Sequence, residues 1–224
     1  MIKFSVIIPV LNEQDRIGAC IENIRALGGD AEVIVVDGGS SDTTVDLARK
    51  KGALVISSAM GRGIQCNAGA KRARGGILLF LHADTRLPQS AFSVIEEYFS
   101  DDKIKIGTFR LRFDSRHWLL GLCGFFSRFD SLFTSFGDQC ITVRRGFFEE
   151  LGGFPDCPLF EDVHFLRKAR KKTRVVSFSQ EVVTSARKFL RCGVFRRQVC
   201  NGILIVKYLC GVSVEKISEE YRKI

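Results

Sequence analysis

The sequence predicts an α/β fold with a mostly parallel central sheet flanked by helices. Short β-branched apolar runs alternate with segments of helical period through the first hundred residues, the grammar of β-α-β units. Polar turns rich in Gly, Ser and Asp separate the two. Ile77 to Leu81 is continuously apolar, as a strand covered on both faces must be. The chain has 224 residues, 46% hydrophobic and 26% charged, with four prolines, enough to bury one sizeable core. That composition excludes a disordered or collagen-like chain and a disulfide-stapled miniprotein.

In chain order, Lys3 to Pro9 reads as a buried strand. Glu13 to Leu27 reads as a helix with Ile17, Cys20, Ile21 and Ile24 on one face. Ala31 to Val36 is a second strand, and the turn Asp37 to Asp42 leads to a helix through Lys50 with Ser41 or Asp42 as its N-cap. Ala53 to Ser57 is a third strand. Gly63 to Arg74 is a helix closed by Gly75-Gly76, and Ile77 to Leu81 a strand ending at His82-Ala83-Asp84. Pro88 suits a first helical turn, which predicts a helix to Phe99, followed by a strand over 104–113. Residues 116–136 carry few turn signals. Gly152 to Pro158 is a loop before a helix from Glu161. Arg174 to Phe178 and Glu181 to Thr184 read as short strands, and 194–210 and 213–223 as closing helices.

Eight cysteines without a C-x-x-C pair argue against zinc clips, and most are expected to be buried in a reducing compartment. The longest uncharged stretch near the middle, His117 to Ser127, is too short to span a bilayer, and the N-terminus lacks a signal-peptide pattern. A cytoplasmic location is expected. Charge is uneven: residues 1–162 have net charge −2 and residues 163–224 net charge +11. A basic quarter suits nucleic acid, an anionic membrane surface or a polyphosphate ligand, and charge alone does not choose.

In an open α/β sheet ligands bind beyond the carboxyl ends of the strands. Asp37, Asp84 and the Glu161-Asp162 pair fall at or near such positions. Singly, each has a bland reading: a turn cap, an Asx turn, or acids at a helix N-terminus. Together they share one expected sheet edge, beside the Gly-flanked Arg62.

Ser5 to Glu13, Val35 to Thr44, Phe80 to Thr85 and Gly152-Gly153-Phe154 followed by Glu161-Asp162 resemble, in order and spacing, the motifs of family-2 glycosyltransferases with the GT-A fold. His82-Ala83-Asp84-Thr85 with Gly137-Asp138-Gln139 is similar to a small bacterial subset that lacks membrane helices. The resemblance implies a single domain over 1–224: a nucleotide-binding half (1–100), an acceptor and catalytic half (101–190) and C-terminal basic helices (191–224). It implies a nucleotide-sugar donor, UDP- or GDP-linked, and a hydroxyl acceptor of unknown identity, a lipid-linked one among the options. It implies that Asp37 takes the nucleotide base in a pocket lined by Pro9, Leu11 and Glu13, with Arg62 and Ala83 nearby. Asp84 would hold Mg²⁺ or Mn²⁺ on the diphosphate, with His82 a second metal candidate, and Arg187-Lys188 would be the basic phosphate site. Asp162, with Glu161 beside it, resembles the general base of an inverting transfer. Asp138, Gln139 and Trp118 are acceptor-side candidates. His82 stands where D-x-D has its first acid and brings no negative charge of its own.

Gln65 and Asn67 are weaker candidates for the nucleotide side than Arg62, and a polar helix face is the reading preferred for them. Of the seven phenylalanines between Phe109 and Phe136, most are expected in the core. From Val194, Phe195, Val199, Ile203 and Val206 share one helical face and Arg196 and Lys207 another, which suits peripheral membrane contact as well as an ordinary surface helix. Two other classes compete. A sugar-phosphate nucleotidyltransferase would favour a Gly-rich basic loop after the first strand, where this chain has Pro9 to Glu13. A basic nucleic-acid or membrane-binding module explains the tail but not three acids at one edge, so no nucleic-acid partner is expected. A dinucleotide oxidoreductase lacks its G-x-G-x-x-G.

Overall fold

The computed structural model describes residues 2–129 and 137–221, apart from the Lys188 side chain. In order, the elements are β1 (Phe4–Val10), α1 (Gln14–Ala26), β2 (Ala31–Asp37), α2 (Thr44–Lys50), β3 (Leu54–Ser57), α3 (Arg62–Arg72), β4 (Ile77–Phe80), β5 (Thr85–Arg86) and α4 (Ala91–Phe99). Then come β6 (Ile106–Phe113), α5 (Trp118–Phe126), a 3-10 turn (Gly137–Gln139), β7 (Ile141–Arg144), α6 (Arg145–Glu150), α7 (Glu161–Arg170), β8 (Val176–Thr184), α8 (Arg187–Cys192), α9 (Val194–Leu209) and α10 (Val214–Tyr221). The sheet runs β3-β2-β1-β4-β7-β6-β8-β5. β1 to β4 are parallel, and β7 turns antiparallel against β4.

Strand alternation divides the apolar side chains between two layers. Val6, Ile8, Val35 and Leu79 pack with α1 and α4, while Ile7, Ile34, Val36 and Phe80 pack with α3, α6 and α7. Both faces are covered, which is why these strands read as continuous apolar runs. A third cluster, Val163, Leu204, Tyr208 and Ile217, docks α9 and α10 onto α7. The parallel strands all end on one edge: Val10 lies beside Asp37, and Leu81 N–H donates to the Ile7 carbonyl at 3.0 Å.

The expected order of elements holds, with differences that have physical causes. α4 begins at Ala91 because Pro88 closes a turn first, its carbonyl accepting from Ala91 N–H. Asp42 does not cap α2; Thr43 precedes the helix, and Asp42 instead accepts from the backbone and hydroxyl of Thr44. The two short strands near residue 180 are one strand, β8, whose pairing with β6 is irregular between Thr108 and Arg110. The sequence does not signal β5, β7, α5, α6 or α8. Only Cys20, Cys66 and Cys140 are buried. Phe109 and Phe113 lie in the core, whereas Phe125, Phe126 and Phe129 are exposed; Phe133 and Phe136 lie outside the described residues. No helix among the described residues is long and apolar enough to cross a membrane.

Candidate active site

The ends of β1 and β2 are stapled together. Gln65, buried on α3, donates through Nε2 to the carbonyls of Val10 and Val36 at 2.9 and 2.8 Å. A Cβ at residue 38 would lie 3.1 Å from that amide, so glycine is what lets Gln65 reach in. The Asp37 carboxylate is buried and accepts from the amides of Gly39 and Ser40 at 3.1 Å each, which fixes the turn after β2. The β1 loop is knitted to that turn. Asn12, at φ 54°, accepts from Ser41 N–H at 2.9 Å, and Glu13 N–H donates to the Thr44 hydroxyl at 2.8 Å. Pro9 and Glu13 are half-buried and Leu11 is exposed along this loop. Gln65 is therefore a bracket inside the molecule, not part of a polar face. Asn67 is another: its amide exchanges hydrogen bonds with both backbone groups of Phe154 and holds the Gly152-Gly153 loop against α3.

Beyond β4 the chain turns through His82-Ala83-Asp84. Cys20 of α1 sits beneath, its thiol 3.9 and 3.8 Å from the carbonyls of His82 and Thr85. The Thr85 and Thr184 hydroxyls are 2.9 Å apart and join β5 to β8. Asp84 opens into a polar cavity of about 380 Å³ shared with Arg16, Arg86, Asp114 and Arg187, and Ala83 lines it too. Asp114 accepts from Ala186 N–H at 2.7 Å and so sets where α8, and with it Arg187, begins. The Lys188 side chain lies outside what the structure describes. Arg16 and Arg86 were not singled out in the sequence; Arg86 carried a signal, two positions after Asp84, and Arg16 carried none.

The third acid arrives on α7. Phe160, at φ 63°, turns the chain into the helix, a conformation disfavoured for a bulky side chain. Gly63 lets α3 abut this loop, since a Cβ there would lie 2.6 Å from the Pro155 carbonyl. Glu161 is buried, with Oε1 3.3 Å from Arg62 Nη1. Burial raises the pKa of its carboxyl, Arg62 opposes that rise, and the neighbouring Asp162 adds to it. Asp162 is half-buried and accepts from Val163 N–H at 2.8 Å. Both acids, with Arg62 and Asp138, head a cavity of about 430 Å³ whose remaining walls are mainly apolar side chains of β6, α5, α8 and α9.

The expected single rim is thus two chambers, one polar around Asp84 and one apolar below Asp162. Asp138, at the head of the apolar one, pairs with His82 Nδ1 at 2.8 Å, and His82 precedes Ala83 of the polar one in the chain. Gln139 is fully buried beside that pair. Asp37 lines neither chamber, and neither does Trp118, which is 73% exposed at the start of α5. Among the described residues no group of three His, Cys, Asp or Glu side chains converges to hold a metal. One carboxylate suffices for a magnesium-like ion that takes its other ligands from phosphates and water, so Asp84 fits such a role.

Residues 5–148 match the family described as Glycosyl transferase family 2. The chain belongs to that family. A PGL/p-HBAD biosynthesis glycosyltransferase of Mycobacterium bovis is 33% identical over 165 residues, 67% of this chain and 62% of that protein. The chain therefore spans about three-fifths of the length of the curated relatives it matches in this way. An undecaprenyl-phosphate 4-deoxy-4-formamido-L-arabinose transferase of Pectobacterium carotovorum is 30% identical over 118 residues, 47% of this chain and 36% of that one. Among solved structures, a mannosyltransferase of Pyrobaculum calidifontis in complex with GDP-Man and Mn²⁺ superposes with a TM-score of 0.71 at 20% identity, covering 95% of this chain and 65% of that chain. A glucosyl-3-phosphoglycerate synthase of Mycobacterium tuberculosis with Mg²⁺ and UDP gives 0.65 at 21%, covering 94% and 80%. The fold is GT-A.

In this family-2 glycosyl transferase, the backbone strain clusters around the site. The three non-glycine residues with positive φ among those described are Asn12, Cys140 and Phe160. They follow β1, precede β7 beside Gln139, and precede α7. Each sets the direction of a segment carrying a candidate residue, and none is readable from residue type alone.

Proposed function

We propose that this protein transfers a sugar from a nucleotide-diphosphate sugar to a hydroxyl acceptor with inversion. The observation that carries the reading is the two-chamber site, a polar chamber lined by Arg16, Arg86 and Arg187 with Asp15, Asp84 and Asp114, and an apolar chamber headed by Asp162 and by Asp138, which pairs with His82. The donor's base lies against Asp37 and the Pro9 to Glu13 loop, and residues 1–100 form the donor half. Its diphosphate lies in the polar chamber, where Arg187, Arg16 and Arg86 neutralise it. Asp84 would hold Mg²⁺ or Mn²⁺ there; bound, such an ion supplies further charge neutralisation at the leaving group.

The acceptor occupies the apolar chamber with its hydroxyl toward Asp162. Asp162 takes the hydroxyl proton as the new bond forms from the acceptor oxygen to the anomeric carbon. The bond from that carbon to the diphosphate oxygen breaks on the opposite face, and its electron pair leaves with the diphosphate. Glu161 and Arg62 hold the start of α7 in place. The apolar walls suit an alcohol carried on an apolar body, including a lipid-linked one.

A thermal-shift screen of UDP-, GDP-, ADP-, CMP- and dTDP-sugars, with and without Mn²⁺, tests the reading, because a ligand specific for the folded state raises Tm. One or two nucleotides are expected to stabilise the protein. No shift with any of them would overturn it.

A further inference from the structure

Fourteen large hydrophobic side chains among the described residues are strongly exposed, and eleven of them lie on α5, α8, α9 or within three residues of α5. On α9, Phe195, Val199, Ile203 and Val206 form one stripe in solvent, Phe195 at 72% exposure. On α5 the matching residues are Trp118, Leu122, Phe125 and Phe126. α9 packs against both α5 and α8, so the stripes belong to one continuous face. Ordinary folding does not leave so much aromatic surface in water, and patches of this kind mark interaction sites.

The charge on this face selects the partner. α5, α8 and α9 hold no Asp or Glu, and Arg191 and Arg196 are exposed on them, while Arg197 bonds Tyr221 and Lys207 pairs with Glu220 of α10. Arg128, just past α5, lies 3.9 Å over the Phe125 ring, and Arg196 is exposed beside Phe195. A second copy of the chain docking through the same face would set cation against cation. An anionic lipid surface meets both features, taking the apolar side chains between its acyl chains and the cations at its headgroups. The apolar chamber opens on the same side, since Phe126 and Gly202 line it and are exposed.

We infer that α5, α8 and α9 form a docking face for an anionic bilayer, held by apolar insertion and by cation-headgroup attraction, with the apolar chamber opening toward the membrane. The orientation relative to catalysis rests on the transferase reading; the docking does not, so each can fail alone.

Trp118, the chain's single tryptophan, sits on this face and reports directly. The test mixes the full chain with phosphatidylcholine vesicles, with or without phosphatidylglycerol, and follows sedimentation and Trp118 emission. Co-sedimentation with the anionic vesicles, a blue-shifted emission and release by high salt are expected. Arg196→Glu should weaken binding about tenfold, and Phe195→Ser with Ile203→Ser should do the same at unchanged far-ultraviolet dichroism and Tm. Three results would overturn the inference: no binding to anionic vesicles, equal binding to uncharged ones, or a dimer that shields Trp118 without lipid. A nucleotide-induced Tm shift that persists in the absence of vesicle binding would sink the docking face and leave the transferase reading standing.

Discussion

His82 Nδ1 lies 2.8 Å from Asp138 Oδ1, which joins the loop after β4 to the turn before β7. A carboxylate from a distant part of the chain is thus held against the histidine that follows β4. Asp138 of the pair heads the apolar chamber, and His82 adjoins Ala83 of the polar one in the chain.

His82→Asp should therefore destabilise this corner of the site. It places a second carboxylate against Asp138 and raises the pKa of one of the two. Because Asp138 is partly exposed, the expected loss of stability at neutral pH is about 1 kcal/mol, recovered on acidification and on adding Mn²⁺. Urea denaturation at acidic and neutral pH, with and without the ion, measures this; equal stability at all conditions would contradict it.

Asp162→Asn should retain the nucleotide-induced rise in Tm and lose roughly 10²- to 10⁴-fold in kcat, the usual contribution of a positioned general base. Steady-state kinetics with the screened donor decide it. Wild-type turnover in this variant removes Asp162 from the reaction.

Asp37→Asn separates two duties of one side chain. The remaining amide oxygen can still accept from Gly39 or Ser40, so stability should change by no more than about 1 kcal/mol. Nucleotide affinity should fall about tenfold, since a charge-assisted bond to the base becomes a neutral one. Isothermal titration reads the affinity, and unchanged binding would leave Asp37 a turn cap alone.

Gln65→Leu should cost about 1–2 kcal/mol, because the Val10 and Val36 carbonyls lose the Gln65 amide while Val10 keeps Gly38 N–H. It should also weaken nucleotide binding without touching the nucleotide, as the β1 and β2 ends loosen. Chemical denaturation and titration on the same sample test both.

Glu161 makes stability depend on pH with a definite sign. Its carboxyl is raised above the ordinary value of 4.5 by burial, against the pull of Arg62. Its contribution is full below the unfolded-state pKa and is lost as pH rises through the folded-state pKa. Glu161→Gln should therefore gain on the wild type as pH climbs above about 4.5. Denaturation midpoints across that range check it, and parallel curves for the two proteins would refute it.

By itself the sequence determined the parallel β1 to β4 half. Local signals agree there: uninterrupted apolar runs covered on both faces, helical period between them, and turn residues at each strand end. It also marked Asp37 and Asp84 as acids at or just past strand ends, which the fold has at the end of β2 and just after β4. The tertiary structure alone decided the rest. Gln65 reads as a surface residue until the β1 and β2 carbonyls turn out to lie within its reach. His82 and Asp138 are 56 positions apart and meet only because β7 runs back along β4. Phe125, Phe126 and Phe129 look like core until α5 is placed with that side outward. Each of these depends on contacts between segments distant in the chain, which neither periodicity nor residue type encodes.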